Sequence, residues 1–199
     1  MIVVDVEATG LDPAIHSLVS IGAVDFAHPE RQFYRECRLR KGARLDAKAM
    51  AVHGISKAQL RDPAKPSIKQ VLLEFLEWSQ PVADRILMGQ NPAFDRDMLK
   101  LHARRCRIKW PFGHRTVDLH SVCYAHMLAQ GFKPPAKYGF ATLGAGAIYG
   151  YVGLPEEARP HHALTGALME AEAFARLIYG KSIIPTFFKY SIPTHLIRK

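Results

Sequence analysis

Two acidic residues interrupt the apolar segment that opens the chain. Residues 2–6 are rich in β-branched side chains and are predicted to form a buried strand, with Asp5 inside it and Glu7 just after it. Side chains alternate along a strand, so these two carboxylates point to the same face. Like charges held close together are costly in a buried setting unless a cation lies between them. The segment therefore predicts one of two structures: an edge strand with a solvated acidic face, or a strand end that binds a hard divalent cation through carboxylate oxygens.

Hydrophobic patterns along the rest of the chain predict strands first, and then an alternation of strands and helices. Two further strands, at residues 17–26 and 32–39, are joined by a tight turn at His28-Pro29-Glu30 and complete an antiparallel meander. The remaining predicted elements are short strands at 86–89 and 116–117, helices at 46–52, 67–78, 93–105, 119–129, 143–149 and 164–179, and a Gly- and Pro-containing loop at 131–138. This order predicts an α/β fold, a mixed β-sheet flanked by α-helices.

Length and composition limit the class of protein. The 199 residues suffice for one domain, predicted at residues 1–180, with a C-terminal tail at 181–199 that is expected to be extended and to pack on the domain or project from it. An excess of 27 Lys and Arg over 18 Asp and Glu gives a net charge of +9, which points to a polyanionic partner. No apolar run approaches the ~20 residues of a membrane helix, and the first residues do not read as a signal peptide. Three well-separated cysteines fit a reducing environment, so we expect a cytoplasmic protein without membrane contact.

Four short motifs follow one another along this predicted fold. They are D-V-E-A-T-G-L at residues 5–11, A-V-H-G-I-S at 51–56, G-Q-N-P-A-F-D at 89–95 and H-H-A-L-T-G-A at 161–167. Together they resemble the motifs of the DEDDh-type 3′–5′ exonucleases, which have a ribonuclease-H-like fold, and the resemblance covers residues 1–179. It implies hydrolysis of phosphodiester bonds at the 3′ end of single-stranded DNA or RNA.

The resemblance also implies roles for four residues. Asp5 would bridge two Mg²⁺ or Mn²⁺ ions, Glu7 would bind one of them and contact the terminal 3′ hydroxyl, and Asp95 would complete the site. Two metal ions stabilise the attacking and leaving oxygens of such a displacement. His161 falls on the position of the general base, a task suited to a side chain with a pKa of about 6.5, and His162 occupies a variable position.

The last motif departs from the family pattern at Gly166, where the resemblance implies an Asp that binds metal. An inactive site, a site with one ligand fewer, and a substitute carboxylate are three interpretations of this change. Glu170 lies one helical turn further on, its side chain leans back toward residue 166, and the glycine leaves space for it. We expect Glu170 to be the substitute metal ligand, against the alternative of an exposed helix charge, whereas Glu172 is rotated away from this face.

Six further residues are candidate substrate contacts. They are Thr9, Gly10, Leu11, His53, Asn91 and Phe94. The first three would offer backbone amides and an apolar wedge to the terminal nucleotide, unless Leu11 packs in the core. His53 and Phe94 would pack on sugar or base, with a core position as the stronger expectation for Phe94. Asn91 would hydrogen-bond near the substrate or cap the helix that carries Asp95.

The sequence thus predicts a metal-dependent 3′–5′ exonuclease that acts on single-stranded 3′ ends. A proofreading-type DNA exonuclease with a role in DNA repair and a small RNA-trimming enzyme both fit, and a polymerase or nuclease complex as partner and a homodimer both stay open. The alternative from a different class is a catalytically impaired or inactive nucleic-acid-binding module of the same fold. Metal-dependent cleavage that is lost in Asp5→Ala would favour the enzyme.

Overall fold

A five-stranded mixed sheet forms the centre of the computed structural model, which describes residues 1–197. The strands are β1 (Ile2–Ala8), β2 (Leu18–Asp25), β3 (His28–Glu36), β4 (Leu87–Gly89) and β5 (Thr116–Asp118), in the spatial order β3-β2-β1-β4-β5. The first three strands form an antiparallel meander, and β4 and β5 extend the sheet in parallel to β1. The predicted α/β fold with a mixed sheet is confirmed.

Helices cover both faces of this sheet. Within the described residues they are α1 (Ala47–His53), α2 (Lys57–Arg61), α3 (Ile68–Ser79), α4 (Pro92–Arg105), α5 (Leu119–Ala129), α6 (Ala145–Tyr151) and α7 (Ala163–Tyr179). Val4 and Val6 of β1 pack into the core that α3 and α4 complete. The opposite face packs against α5, α6 and α7, where Phe174 is fully buried. No helix in residues 1–197 is long and apolar enough to cross a membrane.

β4 pairs with β1 over two residues, so one edge of β1 is left unpaired, and we refer to the space beside this edge as the cleft. The parallel pairing joins Ile2 to Leu87 and Val3 to Met88 and does not continue further. On its other edge, β1 stays paired with β2 up to Ala8. The C-terminal half of β1 therefore has an open edge, at the carboxyl end of the parallel strands, which is where open α/β sheets bind their ligands.

The close contact between β2 and α7 depends on Gly22. A Cβ atom at this position would lie 2.1 Å from the backbone carbonyl carbon of Ala163, the first residue of α7. Gly22 is also the cross-strand partner of Asp5. The start of α7 is therefore held directly against the acidic part of the sheet.

A buried ion pair on α7 holds the C-terminal tail in place. Arg176 Nε donates to Glu172 Oε1 over 2.7 Å, and neither side chain is exposed. The carboxylate also accepts hydrogen bonds from the backbone N–H groups of Ile183 and Ile184. The guanidinium donates to backbone carbonyls of the tail and of the loop after α6. Glu172 is turned away from the acidic strand, as its position on the helix predicts, and its charge serves the packing of the tail.

Several details differ from the sequence-based prediction. β3 begins at His28, so residues 28–30 belong to the strand and the connection from β2 is the shorter pair Phe26-Ala27. α2 was not predicted; its Ser56 N-cap and Gln59 form a capping box that stabilises a helix of five residues. The predicted loop at 131–138 contains a short strand, because it pairs with residues beyond it to form the hairpin β6 (Ala136–Lys137) and β7 (Phe140–Ala141).

The tail also differs, because it is not extended. It forms 3₁₀ turns at Pro185–Phe187 and Thr194–Leu196, each of them next to a proline that fixes the local φ angle. Its side chains Ile184 and Phe187 are buried, as expected for a packed tail, while Phe188 is 62% exposed.

Candidate active site

Five carboxylates gather at the cleft beside β1. Asp5 and Glu7 come from β1, Asp95 from the first turn of α4, Glu170 from α7, and Glu157 from the loop between α6 and α7. Their charges raise one another's pKa values, so they face a shared space. The structure thus brings together the four predicted carboxylates and adds a fifth.

Asp95 is fixed by a hydrogen bond to the open edge of β1. The backbone N–H of Val6 donates to Asp95 Oδ1 over 3.0 Å. This N–H lies beyond the last residue that β4 pairs with, so a side chain from α4 satisfies it instead. The bond locks the second motif to the first across 89 residues of sequence.

Gly166 makes room for Asp5 rather than for Glu170. A Cβ atom at position 166 would lie 2.1 Å from Asp5 Oδ2 and 3.0 Å from Asp5 Cγ. The space that the sequence analysis assigned to Glu170 is therefore filled by the carboxylate of β1, because the start of α7 lies so close to the sheet. This corrects the predicted reason for a glycine at this position.

Glu170 points into the cluster from a different side. It is 6% exposed, and its Oε2 lies 3.1 Å from where a Cβ of Gly89 would stand. Within the described residues, this Oε2 is buried and has no hydrogen-bond partner. The alternative of an exposed helix charge is therefore wrong.

Burial and like charges raise the pKa values of these carboxyl groups. Desolvation raises the pKa of Asp5 well above its usual range, and the charges of Glu170 and Asp95 raise it further. Desolvation and then the charge of Asp95 do the same for Glu170. Desolvation also raises the pKa of Glu7 to about 7, with a contribution from Glu157, and raises the pKa of Asp95 to about 7. A cation bound among these groups would relieve the repulsion.

The donor atoms fit a hard divalent cation. All are carboxylate oxygens, which Mg²⁺ and Mn²⁺ prefer, and Glu170 Oε2 and Glu157 Oε1 are buried without a hydrogen-bond partner in the described chain. In the conformation of residues 1–197, no three Asp, Glu, His or Cys side chains are grouped closely enough to hold a metal ion. The site therefore has the right chemistry, in an arrangement that must tighten for coordination.

The two adjacent histidines have different surroundings. The ring of His162 stacks on Tyr34, with centroids 4.1 Å apart, and His162 is the N-cap residue of α7. The side chain of His161 is 31% exposed, and its Nδ1 lies 3.5 Å from Glu157 Oε2. The backbone N–H of His161 donates to the carbonyl of Val52 over 2.9 Å, which anchors the loop. Of the two histidines, His161 is thus the one that is accessible to solvent and lies beside a carboxylate of the cluster.

The loop after β1 changes the roles predicted for its three residues. Thr9 N–H donates to the carbonyl of Ser17, and the Thr9 hydroxyl donates to another backbone carbonyl, so these groups are engaged within the protein. Gly10 lets the ring of His16 lie against the backbone, since a Cβ there would be 2.4 Å from that ring. Leu11 is 80% exposed, so the core alternative is wrong and an apolar side chain stands in solvent directly after the acidic strand.

The other substrate candidates lie on α1 and at the start of α4. His53 is buried, its Nδ1 accepts from the backbone N–H of Ile55, and its Nε2 has no partner among the described residues. Asn91 stands at the N-cap of α4 with φ 55° but makes no capping hydrogen bond with its side chain, so the capping alternative is wrong. Phe94 is half-buried and packs against the core on the α3 and α4 side, which supports its core alternative.

Sequence reasoning missed Glu157 and Tyr149. Tyr149 on α6 is 2% exposed, and burial followed by the charges of Glu170 and Glu157 raises its pKa, so it borders the cluster. Glu157 lies in an irregular loop, where no periodicity indicates the direction of a side chain. The one signal in the sequence was its spacing of four residues from His161.

The strand order, and the acidic cluster at the open edge of its first strand, define a nuclease of the ribonuclease-H-like fold. Residues 2–174 match the family model RNase_T, described as exonuclease, and the chain belongs to this family. The predictions of a DEDDh-type 3′–5′ exonuclease and of a phosphodiester hydrolase are confirmed at the level of the family. Divalent metal ions are typical cofactors of its members.

Relatives and solved structures match most of the chain. DNA polymerase III PolC-type from Thermotoga maritima is 30% identical over 178 residues, which are 89% of this chain and 12% of the polymerase. The 3′-5′ DNA exonuclease Cap18 from Escherichia coli is 27% identical over 180 residues, 88% of this chain and 89% of that protein. The crystallographic structure of the nuclease domain of 3′hExo, a DEDDh family member bound to rAMP, has a TM-score of 0.68 at 17% identity, covering 96% of this chain and 94% of the other. This last likeness shows the fold.

Proposed function

We propose that the chain is an active 3′–5′ exonuclease in which Glu170 replaces the last Asp of the family pattern. The observation that carries this proposal is the buried Glu170 carboxylate, whose Oε2 has no hydrogen-bond partner in the described chain and which lies close enough to raise the pKa of Asp5. A buried anionic oxygen without a partner is costly unless something positive binds it. A divalent cation in the cluster meets that need.

The residues around the cleft then have separate tasks. The cation ligands are Asp5, Glu7, Asp95 and Glu170. Two Mg²⁺ or Mn²⁺ ions held there would supply positive charge to the attacking and leaving oxygens of the scissile phosphate. His161 accepts the proton of the attacking water at Nε2, because its Nδ1 faces Glu157. Leu11 wedges against the terminal nucleotide, and His53 and Asn91 contact its sugar or base.

The substrate is the 3′ end of a single-stranded nucleic acid. The chain has a net charge of +9 although its centre is acidic, so the excess of Lys and Arg lies around that centre. This surrounding positive charge attracts phosphates, and the acidic cluster needs cations to accept them. A DNA exonuclease among the relatives and an rAMP-bound domain among the structures are compatible with DNA and RNA alike. Four expectations stay predictions: a polymerase or nuclease complex as partner, a homodimer, a cytoplasmic location, and the division into residues 1–180 and a tail at 181–199.

Glu170→Gln tests the proposal, because it keeps the size of the side chain and removes its charge. Labelled single-stranded DNA and RNA are incubated with the variant and with Mg²⁺ or Mn²⁺, and shortening from the 3′ end is followed on gels. We expect hydrolysis to be lost in Glu170→Gln and in Asp5→Ala, and to be retained in the control Glu74→Gln, whose carboxylate pairs with Arg35 on the surface. Full activity of Glu170→Gln would refute the substitution.

The inactive nucleic-acid-binding module is the second candidate, and two observations favour it. Position 166 is Gly where the resemblance implies a metal-binding Asp, and among the described residues no three possible metal ligands are grouped closely enough to hold an ion. A wild-type chain that binds oligonucleotides equally well with and without metal, and shortens none of them, is this module.

A further inference from the structure

The segment between α5 and α6 presents two large aromatic side chains to solvent. Tyr138 is 86% exposed and Phe140 is 76% exposed, which makes them the two most exposed aromatic side chains in the described chain. They lie at the tip of a hairpin formed by residues 133–142, which we call the hairpin arm. Contiguous apolar surface that is exposed and rimmed by polar residues marks interaction sites.

The arm has a defined backbone. Ala136 pairs with Ala141 and Lys137 with Phe140, and the N–H of Thr142 closes the base of the hairpin onto the carbonyl of Pro135 over 2.8 Å. The two-residue turn at Tyr138-Gly139 has positive φ angles of 52° and 80°, as the favoured hairpin turn requires. Gly, Asn and Asp adopt this backbone at lower cost than Tyr. A tyrosine at this turn is therefore better explained by what its ring binds than by its backbone preference.

The charge of the arm matches a polyanion. Residues 131–144 contain no Asp or Glu, and Lys133 and Lys137 are both exposed. Lys137 Nζ lies 5.1 Å from the centre of the Tyr138 ring, so a cation and an aromatic face are presented together. Single-stranded nucleic acids are bound by this combination, in which bases stack on aromatic rings and phosphates meet cations.

Both helices that flank the arm have an end at the candidate active site. α5 begins after Asp118, whose Oδ1 accepts from the backbone N–H of Asn91 over 3.1 Å, beside the second motif. α6 begins beside the loop that carries Glu157 and His161, since a Cβ on Gly146 would lie 3.9 Å from Glu156 Oε1. The arm is thus joined to two helices that reach the candidate active site, α6 by the end next to the arm and α5 by its opposite end.

We propose that the hairpin arm binds the single strand behind its 3′-terminal nucleotide, with Tyr138 and Phe140 stacked on bases and Lys133 and Lys137 close to phosphates. This proposal rests on the proposed function, since it concerns the same substrate further from its end. Stacking tolerates every base, so the arm adds affinity for length rather than for sequence.

Binding of oligonucleotides of two lengths tests the arm separately from catalysis. Fluorescence anisotropy compares a dinucleotide with an oligothymidylate of about 16 nucleotides, in an Asp5→Ala background that does not degrade them. The arm variant is Tyr138→Ala/Phe140→Ala, and the matched control is Phe188→Ala, which removes an aromatic side chain that is 62% exposed on the tail. Unchanged thermal unfolding shows that each variant is folded.

We expect the arm variant to bind the long oligonucleotide about tenfold or more weakly, with the dinucleotide unaffected and the control like the parent. Two results would overturn the proposal. One is equally weakened binding of the dinucleotide and the long oligonucleotide. The other is an arm variant that binds like Phe188→Ala, which is also the result expected if the arm docks a protein. With Asp5 intact, hydrolysis of thymidine 5′-p-nitrophenyl phosphate should be the same with and without the arm substitutions. No hydrolysis of this compound by the wild type would count against the proposed function and leave the binding result valid.

Discussion

Ionisation of the acidic cluster should destabilise the metal-free protein as the pH rises from about 5 to about 8, the reverse of what paired carboxylates produce. Burial, with a contribution from Glu157, raises the pKa of Glu7 from its usual 4.5 to about 7. Between these two values the folded chain holds a proton that the unfolded chain has released. Protons bound more tightly by the folded state make the free energy of unfolding fall with rising pH. Asp95, raised from 3.8 to about 7, acts in the same direction.

The size of the effect follows from the pKa of Glu7 alone. One pKa unit corresponds to about 1.4 kcal/mol, so ionised Glu7 costs the folded state about 3 kcal/mol above pH 7. For a chain of this length, each kcal/mol moves the midpoint of thermal unfolding by about 2–4 °C. Ionisation of Glu7 should therefore lower the midpoint by about 6–12 °C across the window, and ionisation of Asp95 should lower it further. The buried His102 opposes them up to about pH 6.5, because burial lowers its pKa from 6.5 to about 4 and the unfolded chain then binds the extra proton.

Thermal unfolding in EDTA, measured at intervals between pH 5 and pH 8, checks this expectation. Glu7→Gln should reduce the loss of stability between pH 5 and pH 8 and leave the part that Asp95 contributes, whereas Glu74→Gln, on the surface of α3, should leave the pH dependence unchanged. Millimolar Mg²⁺ should raise the midpoint more at pH 8 than at pH 5, because the cation binds the ionised cluster. A Glu7→Gln variant that keeps the wild-type pH dependence would show that burial and like charge do not raise the pKa of Glu7.

Three further predictions concern other residues. Arg176→Met leaves a buried carboxylate without its partner and should lower the free energy of unfolding, measured by calorimetry, by about 3–5 kcal/mol. Arg35→Met, which breaks an exposed ion pair, should lower it by at most ~1 kcal/mol. Similar losses in the two variants would show that burial does not set the value of these ion pairs. Glu157→Gln should lower kcat about 10-fold with little change in KM, since it loosens the orientation of His161; steady-state kinetics that match the wild type would exclude this role. Gly166→Ala should lower kcat on labelled single strands, because its Cβ displaces the nearest carboxylate, and wild-type turnover in this variant would show that the displacement is harmless.

Regular alternation made much of the fold predictable. The β-branched run at the start of β1 and the helical spacing in α3 and α7 reflect burial on one face, which a sequence records directly. The hairpin arm escaped prediction because its strands are two residues each and its turn has Tyr138 where Asn or Asp is usual. The shape of the tail was missed for a different reason: it is set by the buried ion pair of Glu172 and Arg176, whose partners are tail and loop backbone atoms distant in sequence.

The carboxylates at regular positions could also be predicted. Asp5 and Glu7 share a face because they are two residues apart on a strand, and Glu170 faces the cleft because helix geometry turns it there. Glu157 could not be oriented in advance, since an irregular loop has no period. The sequence also could not predict which side chain fills the space at Gly166, because that space depends on how closely α7 approaches the sheet.

That approach makes five residues into one coupled arrangement. Gly22 allows the start of α7 to touch β2, and the contact brings Gly166 against the carboxylate of Asp5. A side chain at 166 is excluded in this arrangement, so any fourth carboxylate has to reach the cluster from another place. Glu170 does so beside Gly89, where a Cβ atom, if present, would lie 3.1 Å from Glu170 Oε2. An Asp placed at 166 without movement of Asp5 would therefore add a clash rather than a ligand, whereas Glu170 reaches the cluster without that clash.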